Sequence, residues 1–176
     1  GIYFITISGG EPFMYPYLLD VLEEKSDMVF QIYTNGTFFN EEIVKRIANM
    51  GNIFPAISIE GFEDRTDARR GKGIFKKVMQ NIDNLRQWKV PFGFSVTVTR
   101  ENVDEVSSEE FVDFMDKKGA FLCWYFMYVP IGRNPNFEMM LTPEQRKEFF
   151  DKISYYRRVK PIILADFWND GEAVSG

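Results

Sequence analysis

Histidine is absent from the 176 residues of this chain, and cysteine occurs once, at Cys123. One cysteine cannot form an internal disulfide, and a chain without histidine cannot assemble a Ser-His-Asp triad or an ordinary zinc site. We therefore predict no metal ligands among these residues. Any chemistry must come from carboxylates, from the backbone or from a bound group.

Positive charge is also in deficit, because 21 Lys and Arg stand against 26 Asp and Glu, for a net charge of −5. The most basic run, Arg65 to Lys72, is interrupted by Asp67. We interpret this run as a solvated loop and expect no nucleic-acid partner, since phosphate binding needs clustered cations. No apolar stretch approaches the roughly 20 residues of a membrane span, and no signal-peptide pattern opens the chain. We expect no membrane partner and a cytoplasmic location.

Short apolar segments alternate with amphipathic helices along the chain. Six segments predict strands, at 2–7, 28–34, 53–59, 92–99, 121–129 and 161–166. Five helical patterns separate them, and Asn40, Ser107 or Ser108, and Thr142 with Pro143 are predicted to begin three of the helices. Strands separated by helices pair in parallel. The fold class is therefore α/β, as a doubly wound open sheet or as a curved, barrel-like sheet.

Polar and glycine-rich residues follow the predicted strands. They are Ser8, Gly9, Gly10, Glu11 and Pro12 after the first, Thr34, Asn35, Gly36 and Thr37 after the second, Glu60 and Gly61 after the third, Pro130, Ile131, Gly132 and Arg133 after the fifth, and Asp166 at the last. Both architectures bind ligands at the carboxyl ends of the strands. Glycines let backbone groups approach a ligand, and a carboxylate accepts hydrogen bonds from an ammonium group. The alternative is a tight turn followed by a helix that Glu11 and Pro12 begin.

Five segments occur in order on successive predicted strand ends: SGGEP, YTNGT, SIEGFEDRTDARRGKGIFKKV, VTVTRENVDEV and VPIGRN. Together they resemble the core of radical S-adenosylmethionine enzymes, in particular the branch with a C-terminal, cysteine-rich auxiliary-cluster (SPASM-like) domain. The resemblance covers essentially the whole chain. It implies a partial (β/α) barrel with six parallel strands and the first β/α unit missing, as a single truncated core domain over residues 1–176.

The resemblance also implies a cofactor-binding site. The segment from Gly9 to Pro12 corresponds to residues that bind the amino group of the methionine moiety, which suits glycine backbone and a carboxylate. Ser58 and Glu60 match the ribose-contacting positions, where the family more often has Asp than Glu. Tyr128 and Val129 correspond to residues that border the adenine.

Four further positions receive roles from the same resemblance. Ser8, Asn35 and Arg70 are expected near the methionyl carboxylate or the substrate, and the forked donors of Arg70 suit a carboxylate. Asp166 resembles the place where some peptide-modifying members keep a carboxylate that takes a proton from the substrate radical. The alternative for each position is an ordinary core or loop residue.

One departure from the family pattern limits what the chain can do. The C-x₃-C-x₂-C motif that ligates a [4Fe–4S] cluster is missing, and without the cluster no electron enters S-adenosylmethionine to form the 5′-deoxyadenosyl radical. We expect the chain as given to be inactive. We interpret it as the central part of a longer enzyme that acts on a small-molecule or peptide substrate, abstracts a hydrogen atom and needs an electron donor. The missing first unit predicts self-association through an open sheet edge.

Two hypotheses from other classes remain open. One is a non-catalytic module that keeps the fold for binding or assembly. The other is a sugar- or phosphate-handling barrel enzyme in which Gly9 and Gly10 cradle a phosphate, although Glu11 beside them disfavours an anion.

Overall fold

Six strands form one parallel sheet, in the order in which they occur along the chain. The computed structural model describes residues 1–132 and 134–170, so the predicted rim residue Arg133 and the last six residues lie outside the described part. The strands are β1 (Phe4–Ile7), β2 (Val29–Thr34), β3 (Ile53–Ile59), β4 (Gly93–Val98), β5 (Leu122–Met127) and β6 (Ile163–Asp166). All six predicted strands are confirmed; β3 has the predicted bounds, and the other five are one to three residues shorter than predicted.

Helices connect the strands on one side of the sheet. In the described residues they are α1 (Leu18–Glu23), α2 (Glu41–Met50), α3 (Glu63–Arg70), α4 (Ile74–Gln87), α5 (Val103–Val106), α6 (Glu109–Lys117) and α7 (Pro143–Val159). Short 3-10 turns occupy Pro12–Met14 and Phe137–Met139. Each pair of consecutive strands is parallel, so each connection must cross from one end of the sheet to the other.

Helix starts follow the predicted side-chain caps. Asn40 accepts a hydrogen bond from the N–H of Ile43 at the start of α2, and Ser108, rather than Ser107, does the same for α6. Thr142 forms a reciprocal capping box with Gln145 at the start of α7. These bonds satisfy backbone donors that a helix leaves without partners at its first turn.

The predicted solvated loop from Arg65 to Lys72 is wrong, because most of it forms α3. This helix has no apolar stripe, which is why hydrophobic periodicity does not reveal it. Acidic residues in its first turn and Arg69 and Arg70 in its last turn complement the helix dipole. The four-residue helix α5 was also not predicted, so the helices outnumber the five that the patterns indicated.

The sheet curls strongly, which decides between the two predicted architectures. Tyr33 on β2 lies 5.7 Å from Phe126 and 6.1 Å from Trp124, both on β5, measured between ring centroids. In a flat sheet, strands three positions apart are separated by about 14 Å. The strand order also lacks the reversal of a doubly wound fold. The predicted partial (β/α) barrel with six parallel strands is confirmed.

The two faces of the curled sheet differ in composition. Residues such as Ile57, Val96 and Tyr125 point outward and pack under the helices in the hydrophobic core. The alternate residues line the inner, concave face of the half-barrel, where aromatic rings and small hydroxyl residues dominate. Among the described residues, no helix combines the length and the apolar run that crossing a lipid bilayer requires.

Candidate functional site

The loop that follows β1 places exposed backbone at the carboxyl end of the sheet. Ser8, Gly9 and Gly10 are exposed. Gly9 has a φ of +145°, a backbone conformation that residues with a side chain rarely adopt. No atom lies within 4 Å of the position of a Cβ on Gly9 or Gly10. The backbone groups of this loop are therefore open to a ligand. The 3-10 turn that starts at Pro12 also confirms the structural part of the alternative reading, in which Glu11 caps a helical turn.

Glu11 joins the end of β1 to the end of β2. Its Oε1 accepts hydrogen bonds from the Thr34 hydroxyl at 2.7 Å and the Phe13 N–H at 3.2 Å, and its Oε2 accepts one from the Asn35 N–H at 2.6 Å. A carboxylate has about four acceptor positions. Three are used, so one position on Oε2 stays open for an external donor such as an ammonium group.

Asn35 and Ser58 lie on neighbouring strands at this rim. The Asn35 side chain accepts hydrogen bonds from the N–H and the hydroxyl of Thr37, at 2.9 and 2.7 Å. Asn35 therefore orders its own turn, and its backbone N–H holds Glu11. Ser58 is half-buried and lies in register with Ser95 on β4, so both hydroxyl side chains share the inner face.

Glu60 follows β3 and carries the most heavily paired carboxylate of the rim. It is 3% exposed. Arg70 donates to its Oε1 from Nη2 at 2.5 Å and from Nε at 3.1 Å, and Arg69 donates to its Oε2 from Nη1 at 2.8 Å. One acceptor position stays open on Oε2. Glu60 can therefore accept one ribose hydroxyl with both arginines in place, and a second only if the half-exposed Arg69 side chain moves.

Arg70 contacts Glu60 through two of its nitrogens. Its Nε and Nη2 donate to Glu60 Oε1, and 24% of its side chain is exposed. A guanidinium has five N–H donors, so this ion pair leaves the Nη1 donors for another acceptor. Arg70 therefore orients Glu60, and its contact with a methionyl or substrate carboxylate stays a prediction.

A hollow of about 190 Å³ adjoins Glu60 at the ends of β3 and β4, walled in part by Arg69, Thr99, Asn102 and Met139. Ligand pockets usually reach 300 Å³ or more, so this hollow suits part of a ligand rather than a whole nucleoside with an amino acid attached. Because Glu11 contacts the end of β2 and Glu60 follows the adjacent β3, both carboxylates lie on one stretch of the rim.

Asp166 is buried at the carboxyl end of β6. It is 1% exposed and shares the outward face of β6 with the core residue Leu164. Its carboxylate caps the turn after β6 by accepting hydrogen bonds from the backbone and side chain of Asn169. Burial raises the pKa of Asp166, and the hydrogen bonds from Asn169 oppose that shift. Asp166 therefore lies on the face opposite to the inner one, and its catalytic role stays a prediction.

Sequence reasoning missed three residues that hold the rim together. Thr66, Asn102 and Glu105 each bond to the backbone of the turn that contains Glu60. Asn102 and Glu105 belong to the segment VTVTRENVDEV, which the resemblance singled out without giving either a role. Their partners are about 40 positions away in the chain, and no periodic pattern encodes such a contact.

Aromatic rings line the inner face below the rim. Tyr33 lies between Trp124 and Phe126, and Phe126 contacts Phe167 at 5.1 Å between ring centroids. Burial raises the pKa of Tyr33 to about 12, so its phenol is neutral at physiological pH. The wall beneath Glu11 and Glu60 is therefore uncharged and largely apolar.

An iron–sulfur cluster does not fit the residues described here. Cys123 is fully buried on the outward face of β5, and burial raises the pKa of its thiol, so it does not offer a thiolate. Among residues 1–132 and 134–170, no group of three His, Cys, Asp or Glu side chains could hold a metal ion.

Comparisons with known proteins agree with this geometry. The sporulation killing factor maturation protein SkfB of Bacillus subtilis (strain 168) is 29% identical over 136 residues, which are 76% of this chain and 33% of SkfB. An AdoMet-dependent heme synthase of Methanosarcina barkeri is 30% identical over 133 residues, 73% of this chain and 38% of that protein. The chain thus spans a third or slightly more of the length of these relatives.

The fold has a close counterpart among solved structures. Streptococcus suis SuiB bound to its precursor peptide SuiA superposes with a TM-score of 0.73 at 15% identity, covering 92% of this chain and 37% of SuiB. At this identity the likeness concerns the fold alone. The sequence profile of the Radical SAM superfamily matches residues 1–115, which is more than half of the chain. This match disfavours the alternative of a sugar- or phosphate-handling barrel, and the chain belongs to the radical SAM superfamily.

Proposed function

We propose that these residues form the S-adenosylmethionine-binding part of a radical SAM enzyme that is longer than the 176 residues of this chain. The observation that carries this proposal is the pair Glu11 and Glu60. Each is an oriented carboxylate with one open acceptor position, and the two lie at the ends of adjacent strands. An α-amino group and a ribose hydroxyl are donors that such positions accept.

Each part of the rim has a role in this proposal. The open backbone after β1 and Oε2 of Glu11 bind the amino group of the cofactor. Oε2 of Glu60 accepts a ribose hydroxyl, while Arg69 and Arg70 hold its carboxylate in place. Ser8 and Asn35 lie on the same rim, next to the methionyl end of the cofactor.

Reductive cleavage of S-adenosylmethionine to a 5′-deoxyadenosyl radical needs a [4Fe–4S] cluster and an electron donor, which residues 1–176 do not supply. The chain's own contribution is to bind and orient the cofactor above the inner face. We therefore expect residues 1–176 alone to be inactive, and we place radical formation in the full-length protein. A non-catalytic binding module is the alternative that this expectation leaves open.

The composition of the inner face favours a substrate that places an uncharged group beneath the rim. Tyr33, Trp124 and Phe126 form an apolar wall without a charged side chain among them. SkfB is named as a maturation protein for a killing factor, and SuiB was solved with a precursor peptide. We propose a peptide substrate that places an apolar side chain against this wall.

Cofactor binding by the full-length protein tests the proposal. We expect Glu11→Ala to weaken S-adenosylmethionine binding at least tenfold, about 1.4 kcal/mol, because the open acceptor and the link to β2 are both lost. The matched control is Glu63→Ala, an exposed glutamate in the first turn of α3. Isothermal titration of the reconstituted protein measures both. Equal losses in the two variants would remove Glu11 from the site, and no binding by the unsubstituted protein would overturn the proposed function.

Self-association through the sheet edge stays a prediction, as does a cytoplasmic location. The exposed side chains of Ile2, Tyr3 and Phe4, at 55 to 70% exposure, support the first, because they lie in and beside the edge strand β1. The unpaired backbone of an edge strand, even one as short as the four residues of β1, offers hydrogen-bonding groups to another chain. Concentration-dependent sedimentation of residues 1–176 would test it.

A further inference from the structure

The peptide groups around Glu60 are held by buried side chains from two other elements. The Glu60 N–H donates to the Thr66 hydroxyl at 3.1 Å, and that hydroxyl donates to the carbonyl of Gly61 at 3.0 Å. The carbonyl of Glu60 accepts a hydrogen bond from Asn102 Nδ2 at 2.9 Å. Thr66 is 0% exposed and Asn102 is 4% exposed. Both backbone groups of Glu60 are thus fixed from outside its own strand.

Asn102 uses the whole bonding capacity of its amide. Its Nδ2 donates to the carbonyls of Glu60 and Thr97, each at 2.9 Å. Its Oδ1 accepts from the N–H and the hydroxyl of Thr99, at 2.7 and 3.1 Å. The side chain therefore bridges the carboxyl ends of β3 and β4, directly beneath the open rim.

The chain immediately after Glu60 is fixed as well. Glu105 accepts a hydrogen bond from the Phe62 N–H at 2.6 Å. Gly61 has a φ of +141°, and a Cβ at this position would lie 2.1 Å from the Glu105 carboxylate. The turn from Glu60 to Phe62 therefore has little freedom to shift while Asn102 and Glu105 keep their contacts.

Fixing this turn matters because Glu60 has a single open acceptor position. If both donors of Asn102 are lost, the carbonyls of Glu60 and Thr97 lose a partner and the turn is free to move relative to β4. A displacement of about 1 Å is enough to spoil a hydrogen bond in a preorganised site.

We propose that Asn102 is a positioning residue for cofactor binding, which acts by holding the backbone of Glu60 so that the Glu60 carboxylate meets the ribose. This inference rests on the proposed function, because it assumes that Glu60 contacts S-adenosylmethionine. It assigns a role to the VTVTRENVDEV segment, which aligns the neighbouring strand end.

The matched comparison is between Asn102 and Asn52. Asn52 lies at the amino end of β3, and its Nδ2 also donates to two backbone carbonyls, those of Met28 at 2.9 Å and Lys25 at 3.3 Å. Asn102→Ser and Asn52→Ser each remove two such bonds. We expect both to lower the urea midpoint of unfolding of the full-length protein. Only Asn102→Ser is expected to weaken S-adenosylmethionine binding, at least tenfold, with less than a twofold change for Asn52→Ser.

A double-mutant cycle separates an effect on the position of Glu60 from a general loss of stability. In a Glu60→Gln background, Asn102→Ser should weaken binding by less than a further twofold, because the carboxylate that Asn102 positions is already lost. Asn102→Gln, which keeps an uncharged amide but displaces its donors and acceptor by one methylene, provides a second variant if the serine variant unfolds under the assay conditions. Equal losses for Asn102→Ser and Asn52→Ser, or an undiminished loss in the Glu60→Gln background, would overturn the inference alone. Failure of the unsubstituted protein to bind would overturn the proposed function and this inference with it.

Discussion

The two ends of the half-barrel satisfy their polar groups in different ways. At the carboxyl rim, the buried side chains of Glu60, Thr66 and Asn102 all have partners. The bonds of Asn102 join the ends of β3 and β4, and the other two residues join the end of β3 to α3. At the amino end, a hollow of about 380 Å³ is mostly apolar, with walls that include Phe4, Phe54, Phe121 and Trp124.

Two buried polar atoms without a hydrogen-bond partner belong to residues that line the amino-end hollow. Among the described residues, the buried side-chain polar atoms without a hydrogen-bond partner are Gln31 Nε2 and Asn52 Oδ1, and both residues line the hollow. The two hollows therefore differ in chemistry as well as in size. The smaller hollow at the rim carries oriented carboxylates, whereas the larger one offers apolar surface.

The largest expected effect concerns the ion pairs at the two ends. Glu60→Gln should lower the free energy of unfolding by about 2 kcal/mol, because a buried carboxylate that holds two guanidinium groups loses its charge. Glu23→Gln should lower the free energy of unfolding by less than about 0.5 kcal/mol, since Glu23 is 57% exposed and shares Arg46 with Asp20. Urea denaturation at pH 7 measures both. Similar values for the two variants would mean that the rim is no more rigidly paired than the surface.

An intermediate effect is expected within the single strand β2. Thr34→Val should lower the free energy of unfolding by about 1 to 2 kcal/mol, because the Thr34 hydroxyl donates a hydrogen bond to Glu11 and accepts one from the Gly36 N–H. Gln31→Leu should leave stability unchanged or raise it by up to about 1 kcal/mol, because it removes a buried amide nitrogen that has no hydrogen-bond partner. Thermal and urea unfolding would compare them. A clear loss of stability in Gln31→Leu would show that the amino end depends on its polar groups too.

The smallest expected effect is a pH dependence at Asp166. Burial raises its pKa in the folded state, so the folded protein retains this proton to a higher pH than the unfolded chain does. The ionised carboxylate therefore costs stability at neutral pH, and the cost is relieved as the pH falls toward the native pKa. Asp166→Asn, which can still accept from Asn169, should raise stability at pH 7 by less than about 1 kcal/mol and flatten the profile between pH 7 and 4. A steeper profile in the variant would contradict this assignment.

The strands and several helix starts could be predicted because they depend on local pattern. Apolar runs located all six strands, and Asn40 and Thr142 marked helix starts through side chains that bond within one turn. The helix α3 could not be predicted in this way, because ion pairs to Glu60 and a buried threonine stabilise it rather than an apolar face.

The position of the two carboxylates at the rim could be predicted, but their hydrogen-bond partners could not. The resemblance pointed to Glu11 and Glu60 at the rim, and the structure places both there. It did not indicate that Arg70 pairs with Glu60, since this contact depends on how α3 returns to the sheet. The orientation of Asp166 was also undetermined, because both faces of β6 carry apolar residues and alternation alone does not tell which face meets the helices.

The match between chain order and strand order has a consequence for how this protein folds. Each strand pairs with the strand that precedes it in sequence, so a newly synthesised β/α unit needs only its predecessor as a docking surface. No later segment has to thread between strands that are already paired. The energetics then resemble those of a stacked repeat array, in which a nucleus formed in the middle of the sheet can grow toward either flank.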